Sequence, residues 1–273
     1  MNDLEKDFFE EGNEVTNLTN VSEKLDNSNV IRNISYDQKE ILWNIMQLYN
    51  NGEPFDCDMT ASKLKFYEQK KSDKFVIPEP KILFDVFPQS DKIQKIEPYG
   101  RLPLDDNSIS SIVIDLPFVV SPPNAPSAVN DKEGASLIFK RFYGFYPVDD
   151  LYSTYMHWIS EAYRVLKENG TCAFKCQSTV SGGVQHNVEE WSFMCAQKVG
   201  FTMEDKFILE AKARLISASK IKKQCHARKY TSSFLVFKKT LKKKNKNFNY
   251  FDLIEKCYNA EIQRYAENKC DIS

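Results

Sequence analysis

The chain has 273 residues, 42% of them hydrophobic, and a net charge of −1 from 37 basic and 38 acidic side chains. That length favours one sizeable core with added arms over two full domains. No run approaches the roughly 20 uninterrupted apolar residues of a membrane helix, and the acidic start MNDLEKDFFEEGNE lacks the basic-then-apolar order of a signal peptide, so a cytoplasmic protein that avoids membranes is expected.

Residues 1–34 are polar, Asn-rich and acidic, too poor in apolar anchors to offset the entropy of ordering, and are expected to form a mobile arm. Ser35 and Gln38 form a capping box for a helix whose apolar face is Ile41, Leu42, Ile45, Leu48 and Tyr49, and Asn50-Asn51-Gly52 stops it. Short apolar runs at 54–59, 81–87, 111–114 and 171–176, each bounded by turn residues, read as strands covered on both faces. Between the last two, Asp149 or Asp150 caps a helix bearing Leu151, Tyr152, Tyr155, Met156, Ile159, Ala162, Tyr163 and Leu166, with Asn169-Gly170 as its end. A further helix starts near Asn187, buries Val188, Trp191, Met194, Cys195 and Val199, and closes at Gly200. FTMEDKFILEA and SSFLVFKK follow as two consecutive strands. The predicted fold is therefore α/β: a three-layer, doubly wound, mostly parallel sheet over residues 35–240, with an antiparallel C-terminal hairpin at one edge. Residues 241–273 read as a basic linker and an amphipathic helix carrying Phe251, Ile254, Tyr258, Ile262 and Tyr265.

Charge is distributed unevenly. Acidic residues crowd the first 30 positions, whereas 211–251 contain no Asp or Glu and are rich in Lys and Arg. Such a block can hold a polyanion through its phosphates whatever the base sequence; a solvated basic surface is the alternative for the run Lys242–Lys246. Seven cysteines without a CxxC pair argue against a disulfide framework or a zinc knuckle, and no metal is expected. Cys172 and Cys176 fall on one face of a predicted strand as buried thiols.

In a doubly wound sheet ligands bind at the carboxyl ends of the strands. Four such ends carry chemistry: Phe55 to Thr60, Phe84-Asp85, Asp115-Leu116-Pro117-Phe118, and Lys175-Cys176-Gln177. The third is the most pointed. A carboxylate and a backbone carbonyl in one tight loop can accept the two N–H bonds of an amine, proline stiffens the loop, and an aromatic ring can stack on a flat ligand. Taken alone, an Asp-x-Pro-Phe strand exit is also an ordinary structural turn.

Five blocks in order add to that loop: FDCDMTASKLKFYE (55–68), LPLDDNSISSIVIDLPF (102–118), EAYRVLKENG (161–170), FKCQSTVSGG (174–183) and HARKYTSSFLVFKK (226–239). Together they resemble the Rossmann-like class I S-adenosylmethionine-dependent DNA methyltransferases with an Asp/Asn-Pro-Pro-Tyr/Phe loop, over Tyr36 to Lys239. The resemblance implies methyl transfer from S-adenosyl-L-methionine to an exocyclic amino group of a nucleic-acid base, DNA adenine N6 or cytosine N4. Asp115, Leu116, Pro117 and Phe118 would be catalytic: Asp115 and the Leu116-Pro117 backbone orient the amine while Phe118 stacks the extruded base. Phe55, Asp56, Asp58 and Thr60 would line the methionine part of the cofactor, and Asp85 would accept its ribose hydroxyls; loop capping and turn formation are the plainer roles for these carboxylates. Lys140 and Arg141, in a loop at 119–147 read as a lid, together with Lys175, Gln177, His226, Arg228 and Lys229, would contact substrate. The implied partner is DNA or RNA, with a protein partner for sequence recognition because little chain remains for a recognition module. A tRNA or rRNA base methyltransferase, and an inactive nucleic-acid-binding member of the fold, are the alternatives. Three departures matter: Leu116 replaces the first proline of the loop, Leu64 stands where glycine would permit a positive φ, and Ser178 replaces the Asp of Lys-Cys-Gln-Asp.

Overall fold

The computed structural model describes residues 30–118, 120, 148–212, 225–240, 251 and 254–259. The chain divides into Met1–Asn33 and Ile34–Ser273, and the elements below belong to the second unit. Residues 1–29 of the expected mobile arm, nearly all of the expected lid including Lys140 and Arg141, most of the basic block, and Ile262 and Tyr265 lie outside the described residues, whereas Ile34 of the expected arm forms strand.

Strand β1 (Ile34–Ser35) leads to helix α1 (Gln38–Tyr49). Then come β2 (Cys57–Asp58), β3 (Ile82–Asp85), β4 (Gln94–Lys95) and β5 (Ile109–Asp115). Helix α2 (Val148–Val165) precedes β6 (Leu166–Cys176), a small hairpin of β7 (Thr179–Ser181) and β8 (Val184–His186), helix α3 (Val188–Val199), and strands β9 (Phe201–Glu210) and β10 (Thr231–Lys239). The main sheet runs β1-β9-β10-β6-β5-β2-β3-β4. Its strands are parallel except β10, which is antiparallel to both β6 and β9. The doubly wound, mostly parallel sheet expected from the strand–helix alternation is the one observed. Its hairpin does not form the edge: β10 inserts between β6 and β9, and the two residues of β1 pair with β9 outside it.

The period of two along β6 separates the layers. Cys172, Phe174 and Cys176 join the core with Tyr155, Trp158 and Ile159 of α2 and Val188 and Cys195 of α3. The intervening Thr171 and Lys175 face α1, where the Thr171 hydroxyl donates to Tyr49 O (2.7 Å) and Lys175 Nζ reaches Gln38 Oε1 (3.5 Å). The two cysteines expected on one face are therefore there, buried and reduced. Helix α1 begins two residues later than expected. Asp37 is its cap, accepting from Lys39 N (2.9 Å), while Ser35 donates to Glu40 Oε2 (2.6 Å) and accepts from Asp37 N. A carboxylate nearer the first free N–H groups takes the role given to Ser35. The pair Asn169-Gly170 does not end α2, which stops at Val165; it lies inside β6, where the β5 register shifts. A Cβ at Gly170 would sit 2.9 Å from Lys167 O and 3.1 Å from Ser110 O, so only glycine fits this crossing. Residues 254–259 are helical, and Ile254 and Tyr258 of the expected apolar face are exposed.

Candidate active site

Strands β2, β3, β5 and β6 run parallel, so Asp58, Asp85, Asp115 and Lys175 all come to the same, carboxyl-terminal end of the sheet. Asp115 and Lys175 are direct partners in the β5–β6 register, and they point to the α1 face. Lys175 Nζ lies 2.9 Å from Asp115 Oδ2, with side-chain exposures of 11% and 25%. The ammonium also lies over the rings of Phe66 (5.3 Å) and Phe234 (5.6 Å), an arrangement that stabilises a desolvated cation. Lys175, expected to touch substrate, is thus first of all the ion-pair partner of Asp115.

The Asp115 backbone is held from the β2 side. Met59 N donates to Val113 O (3.2 Å) as the last backbone rung there, and Asp115 N then donates to the Thr60 hydroxyl (2.7 Å). Thr60 Oγ1 and N both reach Asp58 Oδ1, at 3.1 and 2.8 Å, and the Tyr67 hydroxyl donates to Asp58 Oδ2 (2.7 Å). Asp58 is 1% exposed. Burial pushes its carboxyl up to about 7, against the lowering effect of the Tyr67 and Thr60 hydrogen bonds, and the charge of Asp115 adds to the rise. Asp85 accepts from Ser62 N (2.8 Å) and Phe87 N (2.6 Å); burial raises its carboxyl as well, opposed by those two bonds.

The rest of the Asp115–Phe118 loop divides between surface and core. Leu116 is 4% exposed and belongs to the main core, so its side chain packs and only its backbone remains to act. The buried Tyr155 hydroxyl donates to Pro117 O (3.2 Å), which fixes the carbonyl that was expected to orient an amine. Pro117 and Phe118 are half-buried.

Several expected ligands have other work. Phe55 is 1% exposed, a core side chain and no cofactor wall. Asp56 precedes β2, at the amino end of the sheet. Its Oδ2 accepts from Ser110 N (2.6 Å) and Ser111 N (3.3 Å), and its own N–H donates to Ser111 Oγ (2.9 Å). It caps the start of β5, one strand length from the crevice. Gln177 is buried and its Nε2 donates to Thr231 O (2.7 Å), tying β6 to the start of β10. Because β10 is reversed, the loop before it lies at the carboxyl end of β6. There His226 Nε2 pairs with Gly183 O (2.8 Å) at the tip of the β7–β8 hairpin, Arg228 is exposed and Lys229 is half-buried. Two of the three departures also find a physical place. Leu64 has φ +57° and Ser62 φ +44°, in the left-handed region. Ser178 Oγ accepts from Glu189 N (3.4 Å) at the start of α3, where the Asn187 side chain makes no capping bond.

Sequence reasoning missed Tyr67, Phe66, Phe234 and Tyr155. The first two lie at the end of the FDCDMTASKLKFYE block, and their contacts with Asp58 and Lys175 appear only in the fold. Among the described residues no helix is long and apolar enough to cross a membrane, and no group of His, Cys, Asp and Glu could hold a metal.

No family model matches the chain, and no curated protein does. Among solved structures, similarity is found to a candidate DNA modification methylase of Thermus thermophilus complexed with S-adenosyl-L-methionine (15% identity, TM-score 0.30), which covers 52% of each chain. It is also found to a chain of the complex between the Haloferax volcanii Trm112 methyltransferase activator and a candidate methyltransferase (11%, TM-score 0.37; 74% of this chain and 92% of that one). A third is the [4+2]-cyclase SpnF (13%, TM-score 0.39; 74% and 81%). The match spans about half the length of the Thermus protein. Likenesses at this level carry no argument about function, which rests on the strand ends described above.

Proposed function

We propose that the chain transfers a methyl group from S-adenosyl-L-methionine to an exocyclic amino group of a nucleic-acid base, DNA adenine N6 or cytosine N4. The observation that supports this most is Asp115: a carboxylate at the carboxyl end of the central β5, held at its backbone by Thr60 and at one oxygen by Lys175, beside the half-buried Phe118. Positioning is what the reaction demands. When bound, the cofactor supplies an already activated methyl group. The protein's part is to accept an amine N–H at Asp115, to stack the base on Phe118, and to keep the loop still. Asp115 Oδ2 is taken by Lys175, so Oδ1 is the oxygen we assign to the amine.

The donor set fits the cofactor. Each oxygen of Asp85 accepts one backbone N–H, half of the roughly four bonds a carboxylate can accept, so Asp85 would take the ribose hydroxyls. Asp85 and Asp115, at carboxyl-terminal strand ends, would offer negative charge to the sulfonium and ammonium of the cofactor. Lys140, Arg141, His226, Arg228 and Lys229 would meet substrate phosphates, and a protein partner would supply sequence recognition.

A second reading has its own support. The Lys175–Asp115 ion pair and the leucine at φ +57° suit a non-catalytic nucleic-acid-binding member of the fold. Incubation with tritiated cofactor and unmethylated DNA or RNA, followed by nucleoside chromatography, separates the readings. N6-methyladenine or N4-methylcytosine in DNA is expected; label in RNA alone moves the substrate to tRNA or rRNA, and no label in either, with no calorimetric binding of the cofactor, overturns the enzyme reading.

A further inference from the structure

We propose that Tyr67, Asp58 and Thr60 form a positioning relay for Asp115, which makes the buried Tyr67 a residue of the reaction that never touches substrate. The inference rests on the methyl-transfer reading and adds a control point to it. Strand β2 ends at Asp58, so the edge of β5 beyond Val113 has no further strand to pair with. The Thr60 hydroxyl continues the ladder by accepting from Asp115 N (2.7 Å). A hydroxyl has one proton, and here it goes to Asp58 Oδ1 (3.1 Å), which turns the oxygen lone pairs toward Asp115. Asp58 in turn is oriented by the Thr60 N–H on one oxygen and by Tyr67 on the other.

The local backbone explains how Tyr67 reaches back nine residues. Ser62 and Leu64 adopt positive φ, and Tyr67 N and Glu68 N both donate to Leu64 O (2.9 and 3.0 Å), closing a turn that returns the ring to Asp58. A leucine in the left-handed region costs free energy, and strain of this kind persists where the surroundings over-determine it. Phe66, in the same turn, lies over Lys175. One turn therefore secures both the backbone of Asp115, through Tyr67, and its carboxylate, through the Lys175 ammonium.

Amide hydrogen exchange at Asp115 tests the relay without activity, and kcat and KM test its use. In the full chain, Thr60→Val should raise Asp115 exchange about tenfold, the loss of one hydrogen bond, while Val113 and Phe174 amides stay unchanged; Thr60→Ser, which keeps the hydroxyl, should restore protection. Tyr67→Phe should raise Asp115 exchange and lower kcat about tenfold, with KM for cofactor and nucleic acid unchanged. Unchanged Asp115 exchange in both Thr60→Val and Tyr67→Phe overturns the relay. So does a kcat loss in Tyr67→Phe that is accompanied by equal loosening at Val113 and Phe174. A wild type that transfers no methyl group overturns the proposed reaction instead, and the exchange measurement still decides whether the relay exists.

Discussion

The two ends of the sheet each carry a polar network, built from different sequence blocks, and their electrostatics are opposite. At the amino end, Arg164 binds Glu161 (2.7 Å), Asp106 (2.8 Å), Leu102 O and Leu104 O, and Leu102 N donates to Glu161. Arg164 holds Asp106 below the usual carboxylate range. It also lowers Glu161, where its hydrogen bonds and charge overcome the effect of burial. Lys239 closes this end by donating to Tyr163 O and Leu166 O where α2 meets β6 (2.7 and 2.8 Å), as a cation at a helix C-terminus should. At the carboxyl end, Asp58 and Asp85 are pushed up, chiefly by burial. Carboxylates paired with a cation brace the amino end, whereas those at the carboxyl end are desolvated, the pattern that favours a functional site. LPLDDNS, EAYRVLK and Asp56 thus lie at the amino end, and Asp58, Asp85, Asp115 and Lys175 at the carboxyl end.

Breaking the amino-end network should give the largest effect on stability. Arg164→Ala leaves Glu161, itself only 13% exposed, without its cation, and the expected loss is about 3–5 kcal/mol in urea unfolding. A loss below about 1 kcal/mol would remove the distinction between the ends.

The carboxyl end should show itself through pH. Asp58 has a folded pKa of about 7, above the unfolded value near 4. Between about pH 4 and 7 the folded state therefore binds more protons than the unfolded one, and stability falls as pH rises through that window. The full effect of the shift is about 4 kcal/mol. In Asp58→Asn this component should vanish, leaving a flatter profile; identical profiles would show that the Asp58 carboxyl is not raised in the folded state.

The smallest effect is expected at Leu64. Leu64→Gly relieves the left-handed φ but gives up contact with Ala61, Leu83 and Ile93 and adds chain entropy to the unfolded state, so the net change should stay within about 1 kcal/mol. A larger loss in thermal unfolding would show that the leucine contributes chiefly through packing.

Element types were legible because their patterns are local: the alternation along β6 and the Gly200 stop follow from spacing, whereas on α1 Leu48, expected on the apolar face, is exposed and Met46 is buried. What was not legible depended on which strands adjoin. Asp56 and Asp58 stand two apart in one block, but Asp56 precedes the two-residue β2 and Asp58 ends it, so they serve opposite ends of the sheet. The Asp115–Lys175 pair spans 60 positions and requires β5 and β6 to be neighbours in register, although both residues had been read as strand ends. Tyr67 was not legible as a partner of Asp58 because the turn that brings it back uses positive φ at serine and leucine, a conformation that side-chain-bearing residues seldom adopt. Leu116, read as a weakened catalytic position, is an apolar core residue, which accounts for its side chain in packing terms.

The central claim is that Asp115 orients the reacting amine, and single-turnover methyl transfer with Asp115→Ala and Asp115→Asn tests it most directly, alongside calorimetric cofactor binding. Transfer should fall by about 100-fold or more in Asp115→Ala, with cofactor affinity little changed and Asp115→Asn between it and wild type. Wild-type transfer by Asp115→Ala would contradict the account.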